Sequence, residues 1–447
     1  MDKYLEKFTF NLILFFPFLM ILGIFTTQVI SLSIILISLY LIMKTNKFHI
    51  LNDKILIFLF LFSLYIGLNA LLNGKTIFQL STLFYFRFAV FSTCIFFILY
   101  LKQIKIHTRK YSLYFLIFSF ILLDAIYQFI FGYNFLGFEV DQKQNYGRIA
   151  GLFEENLILG SFLLKFFPII LITIILNKFD LKKYSILYTI FFSIYFLAIF
   201  LSGERTAFFL LIVFLGLSII FIRLFRKIFI NSLIIFSIIV TLLSYFKIGE
   251  YNPTGRMFFK TFHEITNQKY IGNNNAGKRL DNIKDSLQEK RSDNKSNFFH
   301  DIKFFSKNHE GHFKLALHLF SENKIFGTGP EGFRVHCGKL NHNSNIGICS
   351  VHPHNLFLQI LSELGLIGII FYFIAATYVI YNFFKIVKIN SLKMNGEQIS
   401  FLIASLAVMI NFFPFVPSGN FFNTWISIII YYTLGFYLYL NNKILKK

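Results

Sequence analysis

His352, Pro353, His354 and Asn355 stand together where a hydrophilic stretch gives way to the apolar run Leu356 to Gly368. Histidine titrates near pKa ~6.5, so a histidine here can take a proton from a hydroxyl at neutral pH. Pro353 restricts His352 to an extended backbone. Two residues apart in an extended segment, the two imidazoles should point to opposite faces, so at most one of them should meet a substrate. Asn355 suits the N-cap of a helix beginning at Leu356. The alternative is that both histidines only shape the start of that helix.

Arginines supply the second chemistry. Arg205 lies in Ser202-Gly-Glu-Arg-Thr-Ala207, between two apolar runs, and Arg87 lies within one, in Phe84-Tyr-Phe-Arg-Phe-Ala89. Arg256 opens the long hydrophilic stretch, and Arg334 follows a glycine turn, Gly327-Thr-Gly-Pro330. A guanidinium at a membrane edge is a planar fork for phosphate oxygens. The competing readings are a surface pair of Glu204 with Arg205 and a structural Arg87 bonded to carbonyls. A histidine base with arginines near one interface points to a phosphate-bearing lipid substrate and a hydroxyl acceptor.

Metal chemistry has less support. Nine of the eleven histidines fall between Lys247 and His354, and His309, His312 and His318 are closely spaced. Neither His-Glu-x-x-His nor Cys-x-x-Cys occurs, so no metal is expected. Cys337 and Cys349 could form a disulfide in an oxidising compartment, worth roughly 3 kcal/mol for so short a loop.

These residues need a membrane frame to position them. The 447 residues are 56% hydrophobic, with 64 Phe and a mean hydropathy of +0.63. A soluble domain could not bury so much apolar surface, so the chain reads as an all-α polytopic membrane protein. A helix crosses the hydrocarbon core with about 17–25 apolar residues. About twelve stretches qualify, nine before Lys247 and three after His354. The implied parts are residues 1–246, a transmembrane bundle; 247–354, one long loop, partly helical; and 355–447, the last spans. No cleavable signal is expected, because Asp2 and Glu6 interrupt the basic start.

The net charge of +21 does not point to nucleic acid. The basic residues fall in every second short loop, for example Lys44/Lys47/Lys54 and Lys102/Lys105/Arg109/Lys110. That alternation places both termini in the cytoplasm and residues 247–354 outside.

Four segments resemble the O-antigen ligase and polymerase family of bacterial membrane glycosyltransferases. They are Gly151-Leu-Phe-Glu-Glu-Asn-Leu-Ile-Leu-Gly160, Ser202-Gly-Glu-Arg-Thr-Ala207, Phe326-Gly-Thr-Gly-Pro-Glu-Gly-Phe333, and His352-Pro-His-Asn355 with Gln359 and Glu363-Leu-Gly-Leu-Ile-Gly368. The resemblance covers roughly residues 150 to 440. It implies glycan transfer from an undecaprenyl-pyrophosphate carrier to a lipid A core or another lipid-linked glycan, on the periplasmic face of the inner membrane. It implies His354 as the base, with His352 and Asn355 in support, Arg205 as a pyrophosphate contact, and neither metal nor cofactor. The family's pattern has a second loop arginine, followed by Trp, before the glycine turn. Here that region reads His309-Glu-Gly-His-Phe-Lys314, so His312, Arg256 or Arg334 must take the role. The other class of function compatible with the sequence is a lipid-linked oligosaccharide flippase, whose mid-membrane polar path would need Arg87 and Asp124. A glycan-binding scaffold without turnover is a third.

Overall fold

The structure, a computed structural model, describes residues 2–74, 80–102, 108–140, 148–154, 156–178, 180–247, 254–260, 307–339, 350–389 and 394–445. Lipid offers backbone groups no hydrogen-bond partners, so apolar spans close their own bonds as helices. Most of the expected apolar stretches lie on helices, and the one before Lys102 is divided between two. In chain order the helices are α1 (Asp2–Leu19), α2 (Ile24–Thr45), α3 (Lys54–Leu72), the single turn α4 (Leu80–Leu83), α5 (Phe86–Lys102), α6 (Thr108–Phe131), α7 (Leu159–Leu176), α8 (Ser185–Leu201), α9 (Arg205–Phe221) and α10 (Arg223–Tyr245). There follow α11 (Lys307–Glu322), α12 (Gly332–Lys339), α13 (Leu356–Val387), α14 (Gly396–Asn411) and α15 (Thr424–Leu445). Among the described residues seven helices are long and apolar enough to cross a bilayer; α8, α9 and α14 are apolar but shorter.

Aromatic rings fill the spaces between helices. Phe167 of α7 meets Phe192 and Tyr195 of α8, Phe214 of α9 and Phe229 of α10 at 5.2 to 5.9 Å between centroids. The last helix joins the first: Tyr432 of α15 stacks on Phe16 at 5.2 Å and donates to the Ile13 carbonyl at 2.8 Å. α14 packs on both α7 and α13, so the helices after the long loop sit among those before it.

Arg87 departs from its expected mid-span position. The helix is interrupted at Phe84 and Tyr85, and α5 begins at Phe86. The guanidinium is therefore in the first turn, 4.8 Å from the Phe88 ring, with Nη2 3.4 Å from the Thr424 hydroxyl. A helix end offers a cation the polar neighbour that a mid-span site would lack.

The break that matters most is in α13. Gly365 has φ 65° and ψ −161° inside an otherwise continuous helix. The backbone groups this exposes find partners in the glycine turn after α11. Thr328 N donates to Ser362 O at 3.0 Å, Gly329 N to Glu363 O at 2.9 Å, and Leu366 N to Lys324 O at 2.8 Å. Helix interruptions at membrane depth survive where neighbouring protein supplies such partners. α3 braces the junction: Tyr65 donates to Leu364 O at 2.6 Å, and Asn69 to Phe326 O at 2.5 Å.

Candidate active site

Two polar junctions stand at helix ends. The first gathers the histidines. Asn355 has an extended backbone, and its side-chain oxygen accepts from Leu358 N at 2.9 Å, capping α13 as expected. Its amide also donates to Pro414 O at 2.7 Å and Val416 O at 3.3 Å. One side chain thus fixes both the helix start and the loop between α14 and α15. Ser418 N of that loop donates to His354 O at 2.9 Å, and His352 Nε2 lies 3.3 Å from Ser418 O.

The expectation that His352 and His354 face apart is wrong. Their ring centroids are 4.1 Å apart. The alternation argument assumed an extended chain throughout, whereas His354 has φ +55°. That left-handed turn swings its ring back over His352. L-residues pay for such backbone only where surroundings enforce it, and it concentrates at functional sites. On the other side, His312 of α11 is buried, with its ring centroid 5.1 Å from that of His354. His354 therefore lies against His352 and His312, and its Nε2 is 3.0 Å from Ser350 Oγ.

Below the histidines, Gln359 and Glu363 complete the support. Gln359 donates to Asn420 Oδ1 at 2.7 Å and to Glu363 Oε2 at 3.0 Å, and it accepts from Phe421 N at 2.9 Å. Glu363 Oε1 accepts from Phe333 N at 3.0 Å, holding the start of α12. α12 carries Cys337, which is disulfide-bonded; its expected partner, Cys349, lies outside the described residues. Arg334, on α12, is exposed. Arg256 lies on a π-helical turn, Gly255–Lys260, and its side chain falls outside the described residues.

The second junction holds Arg205 at the first position of α9. Glu204 beside it is not the outward half of a surface pair. Its carboxylate accepts from Gly160 N at 2.8 Å and from the Ser161 hydroxyl, and it lies 3.9 Å from Arg148 Nη2. Burial pushes the Glu204 carboxyl above the usual glutamate range, and these donors and Arg148 pull against that shift. The segments 151–160 and 202–207 thus meet physically. Gly160 leaves the room: a Cβ there would come within 3.2 Å of the Glu204 side chain.

The helix that starts at Arg205 touches the loop between α14 and α15. Phe209, one turn into α9, packs on Phe413 with 6.2 Å between centroids, next to the Pro414 carbonyl that binds Asn355. The structure therefore brings His312, His352, His354 and Asn355 together, and seats Arg205 on a helix that packs against the loop cradling them. Asp124, a candidate for a transport path, instead accepts from Phe135 N at 2.8 Å and ties down the connection after α6. Among the described residues no group of three or more His, Cys, Asp or Glu is arranged to hold a metal ion.

Several supporting residues escaped the sequence reading. Tyr65 and Asn69 on apolar α3 and Asn73 at its C-terminal end recur every fourth residue, a polar stripe at helical spacing that is costly in lipid without partners. Ser418-Gly-Asn420 is a polar tract between two apolar helices. Arg148, a charge in a loop between apolar stretches, carries no motif that marks its approach to Glu204.

The helices, the broken α13 and the junction at its start define a polytopic helical membrane protein with its polar groups gathered at helix ends. Residues 190–373 match the protein-family model described as O-antigen ligase. That match agrees with the resemblance that the sequence motifs carry. The match takes in Arg205, the glycine turn and His354; the 151–160 segment and the α14–α15 loop lie outside it. A search of curated proteins gave no match.

Proposed function

We propose that this protein transfers a glycan from an undecaprenyl-pyrophosphate carrier to an acceptor hydroxyl, on a lipid A core or on another lipid-linked glycan, at the periplasmic face of the inner membrane. The observation that carries this reading is His354, held in left-handed backbone against two other imidazoles at the end of a membrane helix.

In this reaction the acceptor O–H breaks and its proton passes to His354. The acceptor oxygen bonds the anomeric carbon, and the bond to the diphosphate breaks with its electron pair leaving on the diphosphate. A single displacement inverts the anomeric centre. Negative charge grows on the diphosphate as the bond breaks, so a fixed guanidinium from Arg205 stabilises the transition state more than the ground state. His312, facing His354, takes the place of the family's second loop arginine better than exposed Arg334 does.

A lipid-linked donor also needs somewhere for its tail. A largely apolar cavity of about 930 Å³, lined by residues including Phe58, Phe62, Phe371, Val408 and Phe412, runs among α3, α13, α14 and α15 and reaches Pro414 and Phe421. Both of those residues are hydrogen-bonded to the histidine junction through Asn355 and Gln359. Arg87 and Asp124, which the flippase reading needs at mid-membrane depth, both have structural partners.

The test is to express the chain in a strain lacking its O-antigen ligase and in one lacking its O-antigen polymerase. A restored lipopolysaccharide ladder in one strain supports transfer and names the acceptor. No ladder in either, with the protein present in the membrane, counts against it.

A further inference from the structure

α7 is sealed except along one strip. Every residue from Leu159 to Ile175 is buried apart from Ser161 and Lys165, which are partly accessible. They stand four apart on the helix and so share a face. Long helical side chains lean toward the N-terminus of their helix, which carries the Lys165 ammonium toward Ser161. The Ser161 hydroxyl donates to Glu204, so the strip opens on the junction that holds Arg205. The Glu204 carboxylate attracts Lys165 and also lies 3.9 Å from Arg148, which Arg205 in turn repels. A charge within a membrane helix is costly and usually functional. Among the described residues, Arg148 and Lys165 alone outweigh the charge of Glu204, whatever else Arg205 binds. The junction therefore suits a ligand that carries more than one negative charge.

We infer that the Lys165 ammonium binds the diphosphate of the lipid-linked donor, alongside the Arg205 guanidinium. This rests on the proposed function and adds to that site a residue from a second helix. An ammonium is a compact point charge with three donors, so it can meet the oxygens of either phosphate. As the glycosidic bond breaks, charge grows on the diphosphate, and a cation already in place stabilises it without rearrangement. A carrier lipid also suits the position of Lys165 inside a span, because its tail holds the diphosphate against the membrane.

The experiment uses the full chain in proteoliposomes with an undecaprenyl-pyrophosphate-linked oligosaccharide and the acceptor identified by strain complementation, with undecaprenyl pyrophosphate as product inhibitor. Lys165→Met, which keeps the length and loses the charge, should raise the donor KM and the inhibition constant together, each roughly tenfold for one charge-assisted contact. The acceptor KM should stay within about twofold of wild type. If Lys165 serves only to neutralise Glu204, the substitution lowers Tm and leaves the donor KM and the inhibition constant as they were. A second measurement needs no variant. An amine-acetylating reagent, read by mass spectrometry, should modify Lys165 in the wild-type protein, and undecaprenyl pyrophosphate should protect it. An unchanged donor KM or inhibition constant in Lys165→Met, a rise confined to the acceptor KM, or acetylation of Lys165 that the lipid does not alter overturns the inference. The two levels separate cleanly. Wild-type transfer with an unaltered Lys165→Met removes only the role of Lys165; folded wild-type protein that transfers nothing from this donor removes the proposed function and this inference with it.

Discussion

Gly327 and Gly365 meet backbone to backbone. A Cβ on Gly327 would lie 2.7 Å from Gly365 N, and a Cβ on Gly365 would lie 2.7 Å from Gly327 N. Both glycines have positive φ, 72° and 65°. Here the turn after α11 enters the break in α13, and the hydrogen bonds of Thr328 and Gly329 to α13 depend on that closeness.

Gly327→Ala should therefore destabilise the protein by at least about 2 kcal/mol, since it adds both left-handed strain and a backbone clash. The loss should appear as a lower Tm of detergent-purified protein and as reduced transfer, although no reacting group is altered. An unchanged Tm would mean that the turn does not need this contact.

Asn355 has two separable duties. Asn355→Ala loses the α13 cap and the bonds to Pro414 and Val416, and should cost about 2 kcal/mol. Asn355→Ser keeps a capping oxygen but lacks the amide, so it should recover only the capping part. Equal Tm values for the two variants would contradict the clamp on the α14–α15 loop.

Glu204 gives a pH signature. Its folded carboxyl is raised by burial, so between the unfolded and folded pKa the folded state binds the extra proton. Stability is then highest at low pH, starts to fall as pH rises past the unfolded value of about 4.3, and has lost its full share above the raised value. Glu204→Gln cannot ionise, so its Tm relative to wild type should increase as pH rises through that window. A difference that stays flat with pH would rule out the raised carboxyl.

Much of this was legible in the sequence because lipid simplifies the code. Apolar length marked the stretches on which most of the membrane helices lie, and Asn355 before an apolar run marked a cap. Phe313, Leu315, Leu317, Leu319 and Phe320 have a helical spacing and fall on α11, where Leu315 and Leu319 are buried but Leu317 is exposed. What failed was geometry set by distant partners. The His352–His354 contact depends on a left-handed turn held by Ser418, 64 positions from His354. Arg87 was misplaced because hydropathy does not register a break at Tyr85. The stripe on α3 was overlooked because its partners lie about 250 to 300 residues away in the chain. A charge at Glu204 cannot be told from a surface pair until Gly160 and Ser161 are brought to it.

The central claim is that His354 takes the acceptor's proton, and it is tested most directly by His354→Ala in proteoliposomes supplied with donor and acceptor. kcat should fall at least about 10²-fold, with donor affinity and Tm close to wild type. A variant that transfers glycan within a few-fold of the wild-type rate would contradict it.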